Sequence, residues 1–429
     1  MTASAPPANH FLFKSLTYMM FMMFAMTTDS VGVIIPEVIR TFHLSMTAGG
    51  AFHYANMSAI AIAAICLGFL ADKLGRKKTI VLGLILFALN SYMFVVANSY
   101  AFFVVLLIVS GASIGIFKTG ALALIGDISN STHEHTSTMN MVEGFFGVGA
   151  IIGPAIVARL LLGGISWKFL YVIAGTICVA LILTASLVRY PHTMKASPEP
   201  IDLKRTMHML KNRYALGFSL ACFLYVAVEC AIYVWLPTYL RSNRPSSAFM
   251  AAYVVSIFFV LRAGGRFLGA WVIARWNWTT VLVLFSGAIL ACFLGSMLFG
   301  TNATVYLLAL SGLFMSVIYP TLNSKGISCF SKSEHGAVAG VILFFTCAGA
   351  ALGPLAMGAV SDLFGGLKAG FVLATIWAAM LFAGMLYNWL ANPTREVLLH
   401  SDESEYGLVD PCATAPLQGS TQAGAALAQ

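Results

Sequence analysis

"GFLADKLGRKKTI", residues 68–80, sets one acid and four bases in a single turn between two long apolar runs. The acid is Asp72; the bases are Lys73, Arg76, Lys77 and Lys78. Gly68 and Gly75 lie on either side of the acid. Charge so concentrated in so oily a chain reads as a turn at a membrane surface. The glycines let two helix ends reverse there, and the bases anchor the turn on the cytoplasmic side.

Composition outside the turn agrees. Of 429 residues, 59% are hydrophobic and 9% charged, and the mean hydropathy is +0.86. Soluble domains carry roughly 25% charged residues, so this chain cannot coat a globule in water. Its long apolar runs are membrane spans, and the surplus of bases (net +8) gathers at their ends, which argues against a nucleic-acid partner. Seven of the eight cysteines (Cys66, Cys178, Cys222, Cys230, Cys292, Cys329, Cys347 and Cys412) fall inside apolar runs without a CxxC pair. They read as small buried hydrophobes, not as a disulfide or metal framework. The first apolar run is too long for a signal peptide and is expected to stay in the membrane.

A helix crosses the bilayer core with about 20 residues. On that measure twelve spans are expected, numbered here 1–12, near 12–40, 48–71, 79–97, 101–126, 137–162, 168–189, 214–240, 247–273, 279–300, 303–328, 335–361 and 368–391. The expected organisation is a cytoplasmic N-terminus at 1–11, a six-helix bundle at 12–189, a cytoplasmic linker at 190–213, a second six-helix bundle at 214–391 and a disordered cytoplasmic tail at 392–429. With the N-terminus inside, fifteen Lys and Arg fall on the cytoplasmic side and six outside, a bias that puts both termini in the cytoplasm.

The halves repeat at a spacing near 200 residues. "GAIIGP" at 149–154 returns as "GAALGP" at 349–354, Asp29 matches Glu229, Pro36 matches Pro237, and Gly111 matches Gly312. A repeat within a twelve-helix membrane chain is the mark of a transporter whose halves rock about a midplane site.

With the spans placed, G-x-x-x-D-[KR]-x-G-[RK]-[RK], met by Gly68, Asp72, Lys73, Gly75, Arg76 and Lys77, resembles the loop between helices 2 and 3 of the major facilitator superfamily. "MNMVEGFFGVGAIIGP", "YVAVECAIYVWLPTYL" and "YPTLNSKGIS" look like the fucose:proton symporter-like branch. Glu143 stands where that branch tends to have Gln, and Lys118 where fucose-type members carry an acid. The resemblance implies an all-α membrane protein, two pseudo-symmetric six-helix bundles and alternating access. In that setting the opening stretch is a conformational gate. Asp72 is expected to cap the start of helix 11 near Glu334 when the transporter faces outward and to release it when it opens inward. Gly269 matches Gly68 in the second half, but Ile273 replaces the acid, so the latch is expected in one copy.

Ionisable residues at mid-span cost about 2.5–3.5 kcal/mol each and persist only if paired, hydrated or useful. Asp29, Glu229 and Glu143 are the proton-coupling candidates, because burial disfavours a carboxyl's charged form. The alternative for Asp29 and Glu229 is an inter-helix hydrogen bond or ion pair. Lys118 either pairs with Glu143 or binds an anionic or hydroxyl-rich solute; Arg262 either holds a carboxylate or phosphate or pairs with Glu229. Neutral solute-binding candidates are Asn56, Asn140, Tyr225, Tyr319 and Asn323, with Trp235 as a stacking surface. All three glutamines lie in the tail, which makes a sugar less comfortable than a small organic anion. "HEH" at 133–135 reads as a solvated loop, and His53 as a hydrogen-bonded interfacial residue. Pro154 and Pro354 are expected to let spans 5 and 11 bend and pack closely.

The expected protein is not an enzyme and needs no cofactor or metal. It is a monomeric secondary transporter in the bacterial inner (cytoplasmic) membrane, moving a sugar or small organic acid, with protons and the lipid bilayer as its other partners. The alternative is a proton-antiport exporter of a metabolite or drug.

Overall fold

The computed structural model describes residues 10–67, 70–128, 132–188, 209, 211–243, 245–273, 275–330 and 335–398. Most of the N-terminus, the linker and the tail expected at 1–11, 190–213 and 392–429 therefore lies outside the described residues. Within them every span is helical. Eleven helical segments are long and apolar enough to cross a membrane. The twelfth, Met46–Cys66, has the length of 21 residues but carries His53, Tyr54, Asn56 and Ser58.

Among the described residues eight spans are single helices; Arg76–Val96, Tyr100–Ile128, Phe169–Leu187, Trp278–Leu298 and Leu367–Ala391 are spans 3, 4, 6, 9 and 12. Thr132–Leu162, Ala248–Ile273 and His335–Leu363 form spans 5, 8 and 11. Span 5 thus starts earlier than expected, and His133–His135 belong to its first helical turns instead of a loop. Span 2 stops at Cys66 short of its expected end, and a separate turn of helix, Leu70–Lys73, leads to Gly75. Gly75 takes a positive φ of 86°, a conformation that favours glycine.

Among the described residues three spans are broken within their length. Span 1 is His10–Thr28 followed by Val31–Phe42. Span 7 is Arg213–Cys230, a π-helical turn Ala231–Trp235, and Leu236–Ser242. Span 10 is Gly300–Met315 and Ile318–Ser328.

Packing reproduces the sequence repeat. Within the first half span 1 lies on spans 5 and 6, span 4 on spans 2 and 3, and span 3 on span 6. Adding six to each number gives the packing of the second half. Between the halves span 2 lies on span 11 and span 5 on span 8, two contacts that a two-fold axis exchanges.

The repeated glycines are where these helices touch. A Cβ on Gly149 or Gly153 would lie 2.1 Å from the carbonyl oxygens of Met22 and Met26 in span 1. One on Gly349 would lie 2.6 Å from the Phe223 oxygen, and one on Gly353 2.9 Å from Ala227 Cα, both in span 7. Small residues that let backbones meet are the usual solution inside a bilayer, where apolar burial does not itself drive helices together. Large apolar side chains at Leu89, Val96, Leu183, Leu187, Leu284, Leu298, Ile376 and Met380 are exposed on spans 3, 6, 9 and 12, the faces left for lipid.

Candidate functional site

The two acids matched by the repeat both sit at helix breaks. Span 1 breaks across "TTDS", residues 27–30. Thr27 Oγ1 donates to the Phe24 carbonyl at 2.9 Å, Thr28 Oγ1 to the same carbonyl at 3.2 Å, and Ser30 Oγ to Met26 O. Side-chain hydroxyls thus compete with backbone N–H groups for carbonyls through one turn, and the helix gives way there. Span 7 breaks by a different route. Pro237 has no N–H to offer the Tyr233 carbonyl four residues back. The turn widens into a π-helix, a bulge common at functional sites. The freed Tyr233 oxygen faces Gly32, where a Cβ would lie 1.7 Å from it. The breaks of spans 1 and 7 therefore meet backbone to backbone between the halves. Interrupted helices at corresponding positions of a repeat are the strongest structural pointer to a transporter's site.

Asp29 is 8% exposed and Glu229 6%, but their surroundings differ. Asp29 Oδ2 accepts from Thr28 Oγ1 at 3.1 Å. A hydroxyl has a single proton, and this one is shared with the Phe24 carbonyl, so Asp29 has a part-time donor. Glu229 Oε1 lies 2.8 Å from Arg262 Nε on span 8. Neither atom makes an aligned hydrogen bond; the contact is a charge pair. Of the two readings left open for Arg262, pairing with Glu229 is the one seen.

One turn before Glu229, Tyr225 donates to the Met315 carbonyl at 3.0 Å and stacks on Tyr319 with centroids 6.1 Å apart. Both tyrosines thus brace the break in span 10. Trp235 is fully buried; its Nε1 donates to Pro354 O at 3.0 Å, and its ring touches Gly50 and Gly358. It has no open face in this conformation and wedges spans 2 and 11. His53 is also buried, hydrogen-bonded across the halves to Ala350 O at 3.1 Å, in keeping with the interfacial reading.

Lys118 and Glu143 do not pair. Lys118, half-buried in span 4, holds its Nζ 5.3 Å from the centre of the Phe146 ring, and Glu143 is exposed. Span 5 packs chiefly on spans 1 and 8 and barely touches span 4, so succession in the chain does not bring the two charges face to face. Arg266, one turn beyond Arg262 and absent from the sequence candidates, is half-buried with its Nε unpartnered, within electrostatic reach of Glu143, Tyr225 and Glu229. Asn56 is buried against Gly111 with its Oδ1 unpartnered. Asn323 is half-buried in the second part of span 10. The Asn140 side chain lies outside the described residues.

At the charged turn after span 2, Lys77 Nζ donates to Ser186 O and Val188 O at 3.2 and 2.9 Å, tying span 3 to the end of span 6. Lys73 is exposed and Arg76 half-buried. Gly68, the Asp72 side chain and Glu334 lie outside the described residues, and so does the latch expected between spans 2 and 11. At the opposite end of the bundle the halves are joined by polar contacts the sequence did not single out. Glu37 on span 1 pairs with Arg241 on span 7 at 2.8 Å and also with Arg40. Cys66 is exposed rather than buried, whereas Cys178, Cys222, Cys230, Cys292 and Cys329 are buried free thiols.

Twelve spans in two matched bundles, with broken helices and buried charge at their junction, define a secondary transporter for small solutes and not an enzyme. The chain belongs to the Major Facilitator Superfamily, whose profile matches residues 17–354. It is 24% identical over 405 residues to the L-fucose-proton symporter of Escherichia coli strain K12, covering 85% of this chain and 90% of that one. It is 25% identical over 394 residues to the glucose/galactose transporter of Brucella abortus biovar 1, covering 88% and 94%. Among solved structures, a bacterial homologue of the human lysosomal transporter Spinster, inward-facing and occupied, matches with a TM-score of 0.74 at 15% identity, covering 93% of this chain and 99% of that one. FucP in the outward conformation matches with a TM-score of 0.61 at 23% identity, covering 87% and 98%.

Proposed function

We propose that this chain is a proton-coupled symporter of a small polar solute, with Asp29 as the residue that takes up and releases the proton. One observation carries the assignment. Asp29 is buried at a helix break with one shared hydroxyl and, among the described residues, no ion-pair partner; Arg262 and Lys118 act on it only at longer range, so its charge is less compensated than that of Glu229 and protonation relieves the cost. Glu229 has Arg262 beside it, which supports a structural role for that acid.

The solute is a sugar or a small organic acid. The named activities of the L-fucose and glucose/galactose relatives favour a sugar. Lys118 and Arg266, which have no carboxylate partner among the described residues, favour an organic acid. Asn56, Asn140 and Asn323 are the neutral groups left to serve a hydroxyl-bearing solute. Tyr225, Tyr319 and Trp235 do so only where the breaks rearrange, because two of them already donate to backbone carbonyls.

The surplus of Lys and Arg at the Gly75 end supports cytoplasmic termini and a place in the bacterial inner membrane. The Glu37–Arg241 end is then extracellular, and the conformation described is closed to the outside. The bundles run over 12–189 and 214–391, and the chain works as a monomer.

Purified protein in liposomes, screened with panels of sugars and organic acids, tests the reading. A solute gradient that alkalinises the outside supports symport; acidification means antiport and overturns it.

A further inference from the structure

The glycine and aspartate frame of the opening signature occurs twice, the second time without its bases. Gly68-x-x-Ala71-Asp72-x-x-Gly75 ends span 2, and Gly358-x-x-Ser361-Asp362-x-x-Gly365 ends span 11, 290 residues later. The likeness extends to the backbone. Leu74 N donates to Leu70 O at 2.9 Å and Phe364 N to Val360 O at 3.0 Å, the same bond in the same register. Gly75 and Gly365, in the last place of the signature, take positive φ values of 86° and 77°. Spans 2 and 11 run in opposite directions through the bilayer, so the two turns sit at opposite ends of the bundle.

At the second turn the side chains are described. Asp362 Oδ1 accepts from Met46 N at 2.7 Å; its Oδ2 accepts from Thr47 N at 2.8 Å and from Thr47 Oγ1 at 2.6 Å. Met46 is the first residue of span 2, whose cap Ser45 takes the Ala48 N–H at 3.2 Å. The first three N–H groups of the helix, which have no partner within it, are thus all satisfied, two of them by a carboxylate from the other half. The contact places a negative charge on the positive end of the helix. Gly358, first in the signature, lets the turn come close: a Cβ there would lie 3.1 Å from Thr47 Cα.

We propose that Asp362 is a positioning residue for transport, a latch that holds the bundle shut at the Glu37 end by capping span 2. Asp72, whose side chain lies outside the described residues, is expected from the sequence to do the same for span 11, which would make spans 2 and 11 reciprocal partners. The second latch is not at Ile273, where the 201-residue repeat would put it, because it is built on the partner of span 2 and not on the repeat-mate of span 2. Opening this end separates Met46 from Asp362 and leaves their charge and N–H groups to water. Asp362 touches no solute; it sets how often each face is open. The proposal rests on alternating access but not on the identity of solute or ion.

The test is made on the full chain in lipid nanodiscs, its native cysteines replaced and spin labels introduced in pairs. Ile165→Cys with Phe299→Cys reports the separation of the halves at the Glu37 end, and Lys78→Cys with Trp276→Cys the other end. Asp362→Asn is expected to raise the open-to-closed ratio at the Glu37 end about tenfold, with Asp362→Glu restoring part of it. Asp72→Asn is expected to shift the opposite pair, and the double variant to return toward the starting ratio. If Asp72→Asn shifts the distances and Asp362→Asn does not, the second latch is wrong while alternating access stands. If no variant moves either pair, both fall.

Discussion

Asp29 and Glu229 occupy the same place in two halves of one repeat, yet they are held differently. Asp29 sits in a break made by hydroxyls and has one shared donor. Glu229 ends a helix before a break made by a proline, and an arginine lies 2.8 Å away. A repeat therefore fixes where a charge enters the membrane without fixing its task. The half whose acid is in direct contact with Arg262 can keep that acid buried and charged. The half whose acid has no ion-pair partner among the described residues feels Arg262 and Lys118 only at longer range, and this is the acid proposed above to carry the proton.

The comparison breaks most visibly at Arg262. Arg262→Met leaves Glu229 buried without its cation and is expected to cost about 3 kcal/mol or more of stability, read as a lower unfolding temperature in detergent. The double variant Arg262→Met with Glu229→Gln is expected to recover much of that loss. An unchanged unfolding temperature in the single variant would make Glu229 as free as Asp29 and erase the difference between the halves.

The next effect in size probes where the breaks meet. Gly32→Ala puts a Cβ 1.7 Å from the Tyr233 carbonyl oxygen, so spans 1 and 7 must part. Overpacking of this kind costs about 1–3 kcal/mol. The cost falls on the state closed at the Glu37 end, and spin-label distances across that end should lengthen. Smallest is Glu37→Gln. The pair with Arg241 is partly exposed, and such pairs are worth about 0.2–1 kcal/mol. A shift of a few-fold toward opening is expected, vanishing at high salt.

Most of the architecture was legible because hydropathy averaged over 20 or so residues is a strong signal, and because the glycines at 149, 153, 349 and 353 recur where backbones must meet. The helix breaks were not. "TTDS" lacks a proline, and its effect depends on three hydroxyls choosing carbonyls at once. Pro237 was visible, but the widened turn also needs Gly32 opposite the freed carbonyl. Pairing was legible only as alternatives. Which way Arg262 points depends on the rotation of span 8 against span 7, and the Lys118–Glu143 pair failed because spans 4 and 5 barely pack. Asp362 escaped because the repeat was read at 200 residues, whereas the turn that mirrors the opening stretch stands 290 away.

Which of the two matched acids gains and loses a proton can be read without knowing the solute. Infrared difference spectra between acid and alkaline pH, recorded on the protein in lipid, show the carbonyl stretch of any carboxyl that changes protonation. Asp29→Asn should remove the band attributed to a buried carboxyl, while Glu229→Gln leaves it in place. A band that survives Asp29→Asn and disappears with Glu229→Gln would contradict the account.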